Sequence, residues 1–461
     1  MAEIFSERRN QVLGTAWLAW FVNYMDRTKT AALLPLIVAS LGMTTQQTGN
    51  VLFAFFICYA AVQPFAGFLT DLWGPKKTLA ISVGAFSIFT WTMAMVQNGD
   101  ELLIRNALFG LAQGFEVTAG SRLVATWFPE RVRGRAFAVH QTAYTLGPVI
   151  IPFIAVPIAQ ATGSWRWSFM VIAFFGLPVL AAIDHFIVDR PERDARVSDK
   201  ELDYIFGAQE LASHHGEVLD PTRAHSAAEL PPGERVTPYG EIFLNRSVIL
   251  MFFAGFFGLV ANWGLTTWLP TYGYTELKLP LLIAGSLSST VFAGQFLGVV
   301  AGGYLSDKVF GMKRTPIWLV GGLVMAVAVL FATTFREGVS LPVVYITFLI
   351  TGFFVSWTPV GQLFAPYLAE LLTPGAVGRS LGVVVLGGMI GSAVAQPLTA
   401  ALIVQTPTGP SYSNAFAMFA FAGVMCSVCV AAMIEPRVKR PYFTYLLSGK
   451  KEGTWQPQAG Q

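Results

Sequence analysis

Long apolar stretches, separated by short polar segments, make up most of the chain. Twelve of them come close to the roughly 20 residues that a helix needs to cross a bilayer. A longer polar segment lies between the sixth stretch and the seventh, so the pattern divides the chain into six and six. It predicts twelve transmembrane helices with the approximate limits 12–38, 48–70, 78–97, 102–125, 136–160, 165–188, 247–271, 282–305, 315–335, 341–366, 380–404 and 412–434.

The pattern thus predicts an all-α membrane protein built from two pseudo-symmetric six-helix bundles. The predicted domains are a first bundle (1–188), a linker (189–246), a second bundle (247–434) and a tail (435–461). Composition agrees, because charged residues make up 12% of the 461 positions, whereas soluble proteins average about 25%. We expect no cleavable signal peptide, since the first apolar stretch is too long for one and contains charges.

Lysine and arginine are distributed unevenly between the predicted loops. If the N-terminus lies inside the cell, the basic residues of the outer loops are Arg166, Lys278 and Arg336. The cytoplasmic connections hold Lys76, Lys77, Arg131, Arg133, Arg135, Lys308, Lys313, Arg314 and Arg379. Basic residues favour the cytoplasmic side of a membrane. We therefore predict a multi-pass protein of the plasma membrane, the inner membrane of a bacterium, with both termini and the linker in the cytoplasm.

The two predicted bundles share short motifs at corresponding places. The loop after the second helix reads Gly67-Phe-Leu-Thr-Asp71-Leu-Trp-Gly74-Pro-Lys76-Lys77, and the loop after the eighth reads Gly303-Tyr-Leu-Ser-Asp307-Lys-Val-Phe-Gly311-Met-Lys313-Arg314. A second pair is Gly134-Arg135-Ala136 and Gly378-Arg379-Ser380. Two such matches indicate duplication, and secondary transporters commonly place their binding site between the repeats.

The first of these loops resembles the cytoplasmic signature of the major facilitator superfamily. A narrower resemblance, to the anion:cation symporter family, rests on Tyr24-Met-Asp26-Arg27 and on Trp127-Phe-Pro-Glu-Arg-Val-Arg-Gly-Arg-Ala136. Asp189-Arg-Pro191, followed by Ser198-Asp-Lys-Glu-Leu, is similar to that family as well. Because the family includes transporters of sugar acids, phthalate and sialic acid, the resemblance implies the superfamily's twelve-helix fold and an organic anion as the substrate.

The loop motif has a physical interpretation as a gate that latches the two bundles when the cytoplasmic side closes. Membrane orientation depends on Lys and Arg and hardly on Asp, so topology alone does not explain Asp71 and Gly74. The predicted gating residues are Asp71, Gly74, Lys76, Arg135, Asp307 and Arg379. The alternative is that the basic residues of the loop only fix the topology of the chain.

Three charged residues, Asp26, Arg27 and Lys29, lie inside the first predicted helix. Asp26 follows Val12 by 14 positions, which places it roughly 21 Å into the span. Ionised groups at that depth are costly and usually mark a substrate or ion pathway. The alternative is that Asp26 neutralises Lys29, one turn away, and that the pair only holds helices together.

Arg105 in the fourth helix lies at about the height of Arg27 and Lys29, and by helical rotation it shares a face with Glu116. A net positive cavity favours a carboxylate, which arginine binds through two parallel hydrogen bonds. If Asp26 pairs with one cation, two remain, and a dicarboxylate would match them. The predicted substrate ligands are Tyr24, Arg27, Lys29, Arg105, Tyr144, Asn262 and Gln362. The alternative is a purely structural charge network.

Asp26 and Glu116 are the predicted sites of proton coupling, because a carboxylate in a low-dielectric region can load and release a proton. Here the chain departs from the resembled family, which typically carries Glu where this chain has Gln113. Gln cannot take up a proton. Either Glu116 takes over the coupling, or the transporter works by exchange, by facilitated diffusion or with another ion.

The sequence predicts a secondary transporter that imports an organic carboxylate, such as a sugar acid, an aromatic acid or a small di-acid, by proton symport and alternating access. The alternative is an exchanger or uniporter for similar anions. A membrane-bound sensor or enzyme is disfavoured, because the loops are too short for an extra soluble domain and no H-x-x-x-H or H-E-x-x-H motif occurs. An ATP-driven pump is disfavoured, because no P-loop occurs. We expect a monomer in the lipid bilayer, with no enzymatic activity, cofactor, metal or nucleic-acid partner.

Overall fold

The computed structural model describes residues 7–206, 237–309, 313–359, 364–407, 409–436 and 440–441. The first half consists of helices connected by short turns. Its helices are α1 (Arg8–Leu41), α2 (Thr45–Trp73), α3 (Pro75–Met93), α4 (Gly99–Gln113), α5 (Glu116–Trp127), α6 (Glu130–Thr162), α7 (Trp165–Phe174) and α8 (Gly176–Phe186). In the linker follow a short 3₁₀ helix (Pro191–Arg193) and α9 (Asp199–Phe206).

The second half begins with α10 (Tyr239–Leu244) at the end of the linker. Its further helices are α11 (Arg246–Thr275), α12 (Leu281–Lys308), α13 (Thr315–Ala332), α14 (Leu341–Val355), α15 (Phe364–Leu371), α16 (Pro374–Leu402) and α17 (Ser413–Ala432). Two small antiparallel hairpins pair β1 (Val404–Thr406) with β2 (Gly409–Ser411) and β3 (Ile434–Glu435) with β4 (Arg440–Pro441).

In the described residues, eight helices are long and apolar enough to cross a membrane by length and composition. They are Thr45–Trp73, Arg131–Thr162, Trp165–Phe186, Arg246–Thr275, Leu281–Leu305, Thr315–Ala332, Ala376–Leu402 and Ser413–Ala432. The other four predicted spans coincide with α1, with α3, with α4 and α5, and with α14 and α15. The first of these contains the charge cluster, and the fourth and tenth spans are each divided into two helices. The sixth span, Trp165–Phe186, comprises α7 and α8, which are separated by Phe175.

Local signals explain where these helices begin and end. Gly42 ends α1 with a left-handed φ of 61°, a conformation that glycine adopts without strain. Thr44 and Gln47 then form a capping box at the start of α2, so the turn between the first two spans is short.

The two halves pack closely on the membrane side opposite the linker. A Cβ atom at Gly49 of α2 would lie 2.7 Å from Ala400 Cβ of α16, and one at Gly285 of α12 would lie 3.3 Å from Pro152 Cβ of α6. On the linker side, a cavity of about 380 Å³ separates the two halves between α6 and α12, with Tyr144 and Gln295 in its walls. We call it the linker-side cavity. The interface is therefore tight on one side of the membrane and open on the other.

The start of the linker is fixed to the first half. Glu201 of α9 accepts hydrogen bonds from the backbone N–H groups of Arg8 and Arg9, which begin α1. Asp194 forms a salt bridge with Arg8 at 2.7 Å and contacts Arg196 at 2.8 Å. Burial alone would raise the pKa of Asp194, but the hydrogen bonds from Arg196 and Arg8 outweigh it and lower that pKa from 3.8 to about 2.

Candidate functional site

A small cavity lies between the two halves near the middle of the membrane-spanning helices. It is lined by residues of α1, α2, α4, α6, α11 and α12, and its free volume is about 30 Å³. We call it the central cavity. Such a volume holds a few water molecules at most, so a substrate can enter only when the surrounding helices move apart.

Arg27 reaches the central cavity from the middle of α1. Its Nε atom donates to Gln113 Oε1 at 3.1 Å and its Nη1 atom to Tyr24 Oη at 3.1 Å. The guanidinium carbon lies 4.4 Å from the ring centroids of Tyr24 and Tyr59 and 5.9 Å from that of Trp263. These distances suit cation–π contacts. Aromatic rings and two neutral oxygens thus hold the cation in place.

One part of the Arg27 side chain lacks a well-aligned partner. The residue is 8% exposed, and in the described part of the chain no group accepts a hydrogen bond of good geometry from its Nη2 atom, although the Tyr59 side chain lies beside the guanidinium. Its charge is also without a carboxylate within salt-bridge distance there. A buried, unpaired donor is rare in a folded protein and calls for an explanation. A carboxylate ligand would supply both the missing acceptor and the missing charge.

Asp26 and Lys29 point away from the central cavity, into the first half. Lys29 Nζ lies 2.8 Å from Asp26 Oδ1, and Thr90 of α3 donates to Asp26 Oδ2 at 2.7 Å. The ammonium group also lies over the rings of Phe109 and Phe169. Lys29 is a predicted substrate ligand, but the structure does not place it in the lining of the central cavity, because residues two positions apart on a helix point in nearly opposite directions. The alternative, neutralisation by Asp26, describes the observed pair.

Arg105 is also absent from the central cavity. It forms a salt bridge with Glu101 at 3.3 Å and donates to the Thr92 carbonyl, and its side chain is 29% exposed. The predicted face shared with Glu116 assumes one regular helix, but the span is interrupted at Gly114 and Phe115. The structure therefore does not bring Arg105 together with Arg27, which corrects the geometry predicted for the site.

Glu116 is the first residue of α5 and is 1% exposed. The Asn23 side chain lies beside it, and Arg27 is close enough to influence its charge. Even so, neither carboxylate oxygen accepts a hydrogen bond of good geometry within the described residues. Gln113, one turn earlier, donates to the Asn23 carbonyl at 2.9 Å. Of the two carboxylates predicted for coupling, Glu116 therefore lies near Arg27 with only Asn23 as a poorly aligned neighbour, whereas Asp26 is paired with Lys29.

Tyr144 and Asn262 contact each other across the two halves. Asn262 Nδ2 donates to Tyr144 Oη at 3.3 Å, and Gln295 donates to Asn262 Oδ1 at 2.8 Å. Tyr24 packs edge-on against Tyr144, with ring centroids 4.7 Å apart. These residues lie beside Arg27 rather than in the lining of the central cavity. Gln362, the remaining predicted ligand, lies outside the described residues.

The loop motif between α2 and α3 forms contacts within the first half. Asp71 lies 3.4 Å from Arg122 of α5. Gly74 has a φ of 85°, and a Cβ atom there would approach Asp189 to 2.7 Å. Asp189 in turn accepts a hydrogen bond from the Lys76 backbone at 2.7 Å, which ties the motif to the linker.

The other predicted gating residues occupy the same side of the membrane. Arg135 is exposed, and Arg379 donates to the Thr237 carbonyl at 2.9 Å. Asp307 lies near the end of α12, but its side chain is outside what the structure describes. The contacts described for Asp71, Lys76 and Arg379 all stay on one side of the boundary between the halves, and a latching role is still a prediction.

Comparison with known proteins decides the family. The model of the Major Facilitator Superfamily matches residues 16–366 and 275–446. The chain belongs to the major facilitator superfamily. This membership confirms the predicted superfamily and its fold, and the similar members include transporters and a membrane sensor protein rather than enzymes.

Individual relatives fit the narrower resemblance to organic-anion transporters. The chain is 30% identical to a probable sulfoacetate transporter of Cupriavidus necator, over 67% of this chain and 66% of that protein. It is 25% identical to the hexuronate transporter of Bacillus subtilis, over 95% of this chain and 97% of that protein. The first match spans just under two thirds of the relative's length. The crystal structure of a D-xylose-proton symporter has the same fold, with a TM-score of 0.69 at 16% identity over 93% of this chain and 99% of that one.

Several residues around Arg27 and Asp26 carried no signal in the sequence. Thr90 stands in an apolar span, and Phe55 and Tyr59 belong to an aromatic segment with no distinct pattern. Asn23 lies next to the charge cluster, and its adjacency to Glu116 depends on how α1 packs against α5. Their contributions follow from the packing of helices that are distant in sequence, and one chain does not contain that information.

Proposed function

We propose that the protein is a secondary transporter that carries an organic carboxylate into the cell together with a proton. The observation that supports this most is the buried Arg27, which lies between the two halves and has, in the described part of the chain, no well-aligned acceptor for its Nη2 atom and no carboxylate within salt-bridge distance. The named relatives are a probable sulfoacetate transporter and a hexuronate transporter. Sugar acids, aromatic acids and small di-acids are the substrate class that this resemblance supports.

Alternating access would proceed by rocking of two six-helix bundles, residues 1–188 and 247–434, about the central cavity. The close contact of Gly49 with Ala400 and the cavity on the linker side would correspond to one of the two states. In the other state, Asp71, Gly74, Lys76 and Arg135, together with Asp307 and Arg379, would bring the linker sides together. We place the linker side in the cytoplasm of a plasma membrane, with the protein acting as a monomer.

Proton coupling would use Glu116. A protonated Glu116 leaves Arg27 as the net charge of the site, and this charge attracts the substrate anion. An ionised Glu116 competes with the anion for the electrostatic field of Arg27. Asp26 already has Lys29 and Thr90 as partners, so its part in coupling would require that pair to open.

A specific observation supports exchange or uniport as the second candidate. Gln113 takes the position at which the resembled family carries a carboxylate, and its amide is held by Arg27 on one side and the Asn23 carbonyl on the other. An amide in that position cannot carry a proton. If Glu116 does not replace it, transport runs without protons.

Uptake into proteoliposomes tests the proposal. Labelled glucuronate, galactarate, sulfoacetate and benzoate are offered with and without an inward proton gradient. The proposal expects concentrative uptake of at least one anion with the gradient, loss of uptake in Arg27→Gln, and normal uptake in the control Lys77→Gln, which removes an exposed charge. Equal uptake without a gradient would favour exchange or uniport, and transport of none of these anions would overturn the proposal.

A further inference from the structure

The described lining of the central cavity contains a single charged side chain, that of Arg27. The other cations of the sequence cluster are neutralised elsewhere: Lys29 by Asp26 at 2.8 Å and Arg105 by Glu101 at 3.3 Å. The expectation of a dicarboxylate depends on two free cations beside the substrate. The described lining of the central cavity supplies one free cation, Arg27.

Gln113 leaves this positive charge intact. Its Oε1 atom accepts from Arg27 while its Nε2 atom donates to the Asn23 carbonyl, so the neutral amide is fixed by a hydrogen bond at each end. Glu116 is the nearest acidic group that influences Arg27, and it lies beyond salt-bridge distance. Among the described residues, the site therefore carries at most one positive charge. A second negative charge on the ligand would be buried there without a counter-charge, which is costly.

The walls of the central cavity are largely apolar. Phe55, Phe56, Trp263 and Phe292 present aromatic rings to it. Polar side chains are also present, but several of their hydroxyl groups already donate to backbone carbonyls: Thr28 to Tyr24, Thr266 to Asn262 and Ser288 to Thr266, each at 2.7 Å. A ligand rich in hydroxyl groups would meet few free donors, whereas a flat apolar body would pack against the rings.

From these observations we infer that the substrate is a compact organic anion with one negative charge and an apolar or aromatic body. Its carboxylate binds Arg27, and its body lies against Trp263 and the neighbouring phenylalanine rings. The inference rests on the proposed function and narrows its substrate class. It sets dianions aside and favours aromatic or aliphatic monocarboxylates over sugar acids, which would distinguish this chain from the sulfoacetate and hexuronate transporters to which it is similar.

Both parts of the inference, the single negative charge and the apolar body, can be tested with matched ligands. Their binding to the purified full-length protein is measured by calorimetry in detergent. Benzoate and phthalate differ by one carboxylate, benzoate and glucuronate share the charge but differ in the body, and benzamide lacks the charge. The inference expects benzoate to bind at least tenfold more tightly than the other three ligands. Arg27→Gln should abolish benzoate binding, and Arg27→Lys should weaken it less, because lysine keeps the charge but loses the fork geometry.

Trp263→Leu tests the aromatic wall, and Trp167→Leu is the matched control, since Trp167 is 54% exposed. We expect benzoate affinity to fall at least fivefold in the first variant and to stay unchanged in the second. If phthalate binds as tightly as benzoate or more tightly, the inference that the substrate carries a single charge is overturned. If glucuronate binds more tightly than benzoate, the inference of an apolar body is overturned. Either result leaves the proposed function standing. If no anion in this panel or in the uptake panel is bound or carried, the proposed function fails together with the inference.

Discussion

Asn262 of the second half donates a hydrogen bond to Tyr144 of the first, over 3.3 Å. Gln295 extends this contact by donating to Asn262 over 2.8 Å. Tyr144 and Gln295 line the linker-side cavity, and the central cavity begins beyond them at Arg27, Trp263 and Phe292. The three polar side chains thus form a thin partition between the two cavities, whereas whole helices close the other side of the membrane.

Tyr144→Phe should weaken this partition. The change keeps the ring packed against Tyr24 and removes only the acceptor of the cross-half hydrogen bond. Val139 and Val300 are both exposed at the linker-side cavity. The distance between spin labels attached at these two positions should be long in a larger share of Tyr144→Phe molecules than of wild-type molecules. Tyr345→Phe is the control, because it removes a hydroxyl that bonds Ser286 within one half. Identical distance distributions in the two variants would contradict the prediction.

Arg27 and Arg105 should differ sharply in their effect on anion binding. Arg27→Gln removes the one charged group in the described cavity lining and should lower affinity about 30-fold or more, equivalent to about 2 kcal/mol. Arg105→Gln removes a partly exposed partner of Glu101 and should change affinity less than about twofold. Calorimetric titration of both variants with the same anion measures the two affinities. A large loss of affinity in Arg105→Gln would support the prediction from the sequence that Arg105 and Arg27 bind the substrate together.

Gln113→Glu should reduce anion affinity at neutral pH by at least tenfold, which corresponds to about 1.4 kcal/mol. The new carboxylate would accept from Arg27 at the place of the amide oxygen, now 3.1 Å away, and would neutralise the charge that attracts the substrate. Gln113→Met, which is neutral and of similar length, separates this electrostatic effect from the loss of the contact with the Asn23 carbonyl. Unchanged affinity in Gln113→Glu would show that Arg27 is not the anchor of the anion.

Glu116→Gln should separate transport from the proton gradient. Glutamine is close in shape to a protonated glutamate but cannot release a proton, so gradient-driven accumulation should fall to background while exchange of labelled for unlabelled substrate persists. Both assays use the same proteoliposomes, and Glu337→Gln, at an exposed position, is the control. Full gradient-driven accumulation in Glu116→Gln would assign coupling to another group or to none.

Asp194→Asn should destabilise the attachment of the linker to α1 by about 2 kcal/mol at neutral pH, because charged hydrogen bonds to Arg8 and Arg196 are lost. The folded-state pKa of Asp194 is lowered from 3.8 to about 2. Its stabilising effect is therefore complete above about pH 4 and is lost as the pH falls from there towards 2.

The difference in melting temperature between the wild-type protein and Asp194→Asn should accordingly be constant from pH 7 to pH 5 and shrink below pH 4. Glu192→Gln, at an exposed position on the short 3₁₀ helix that ends just before Asp194, should melt like the wild type throughout. A difference that does not change down to pH 3 would argue against the ionised Asp194 as its source.

Sequence reasoning identified the superfamily, because apolar length and the repeated loop motifs are properties of the chain itself. It also selected Arg27, since a charge deep in a span is costly without a function. It predicted Arg27, Lys29 and Arg105 as ligands of one site, whereas in the structure only Arg27 of these three lines the central cavity. Those distinctions depend on the rotation of α1 and on the interruption at Gly114, which are set by packing against neighbouring helices.

The salt bridge between Asp26 and Lys29 connects residues three positions apart on a single helix. It can form as soon as the first helix does, before any other span has been synthesised. During biogenesis, the nascent segment would thus present one net positive charge to the lipid instead of three separate ions. We expect that this internal pairing makes membrane insertion of the first segment independent of the helices that later surround it.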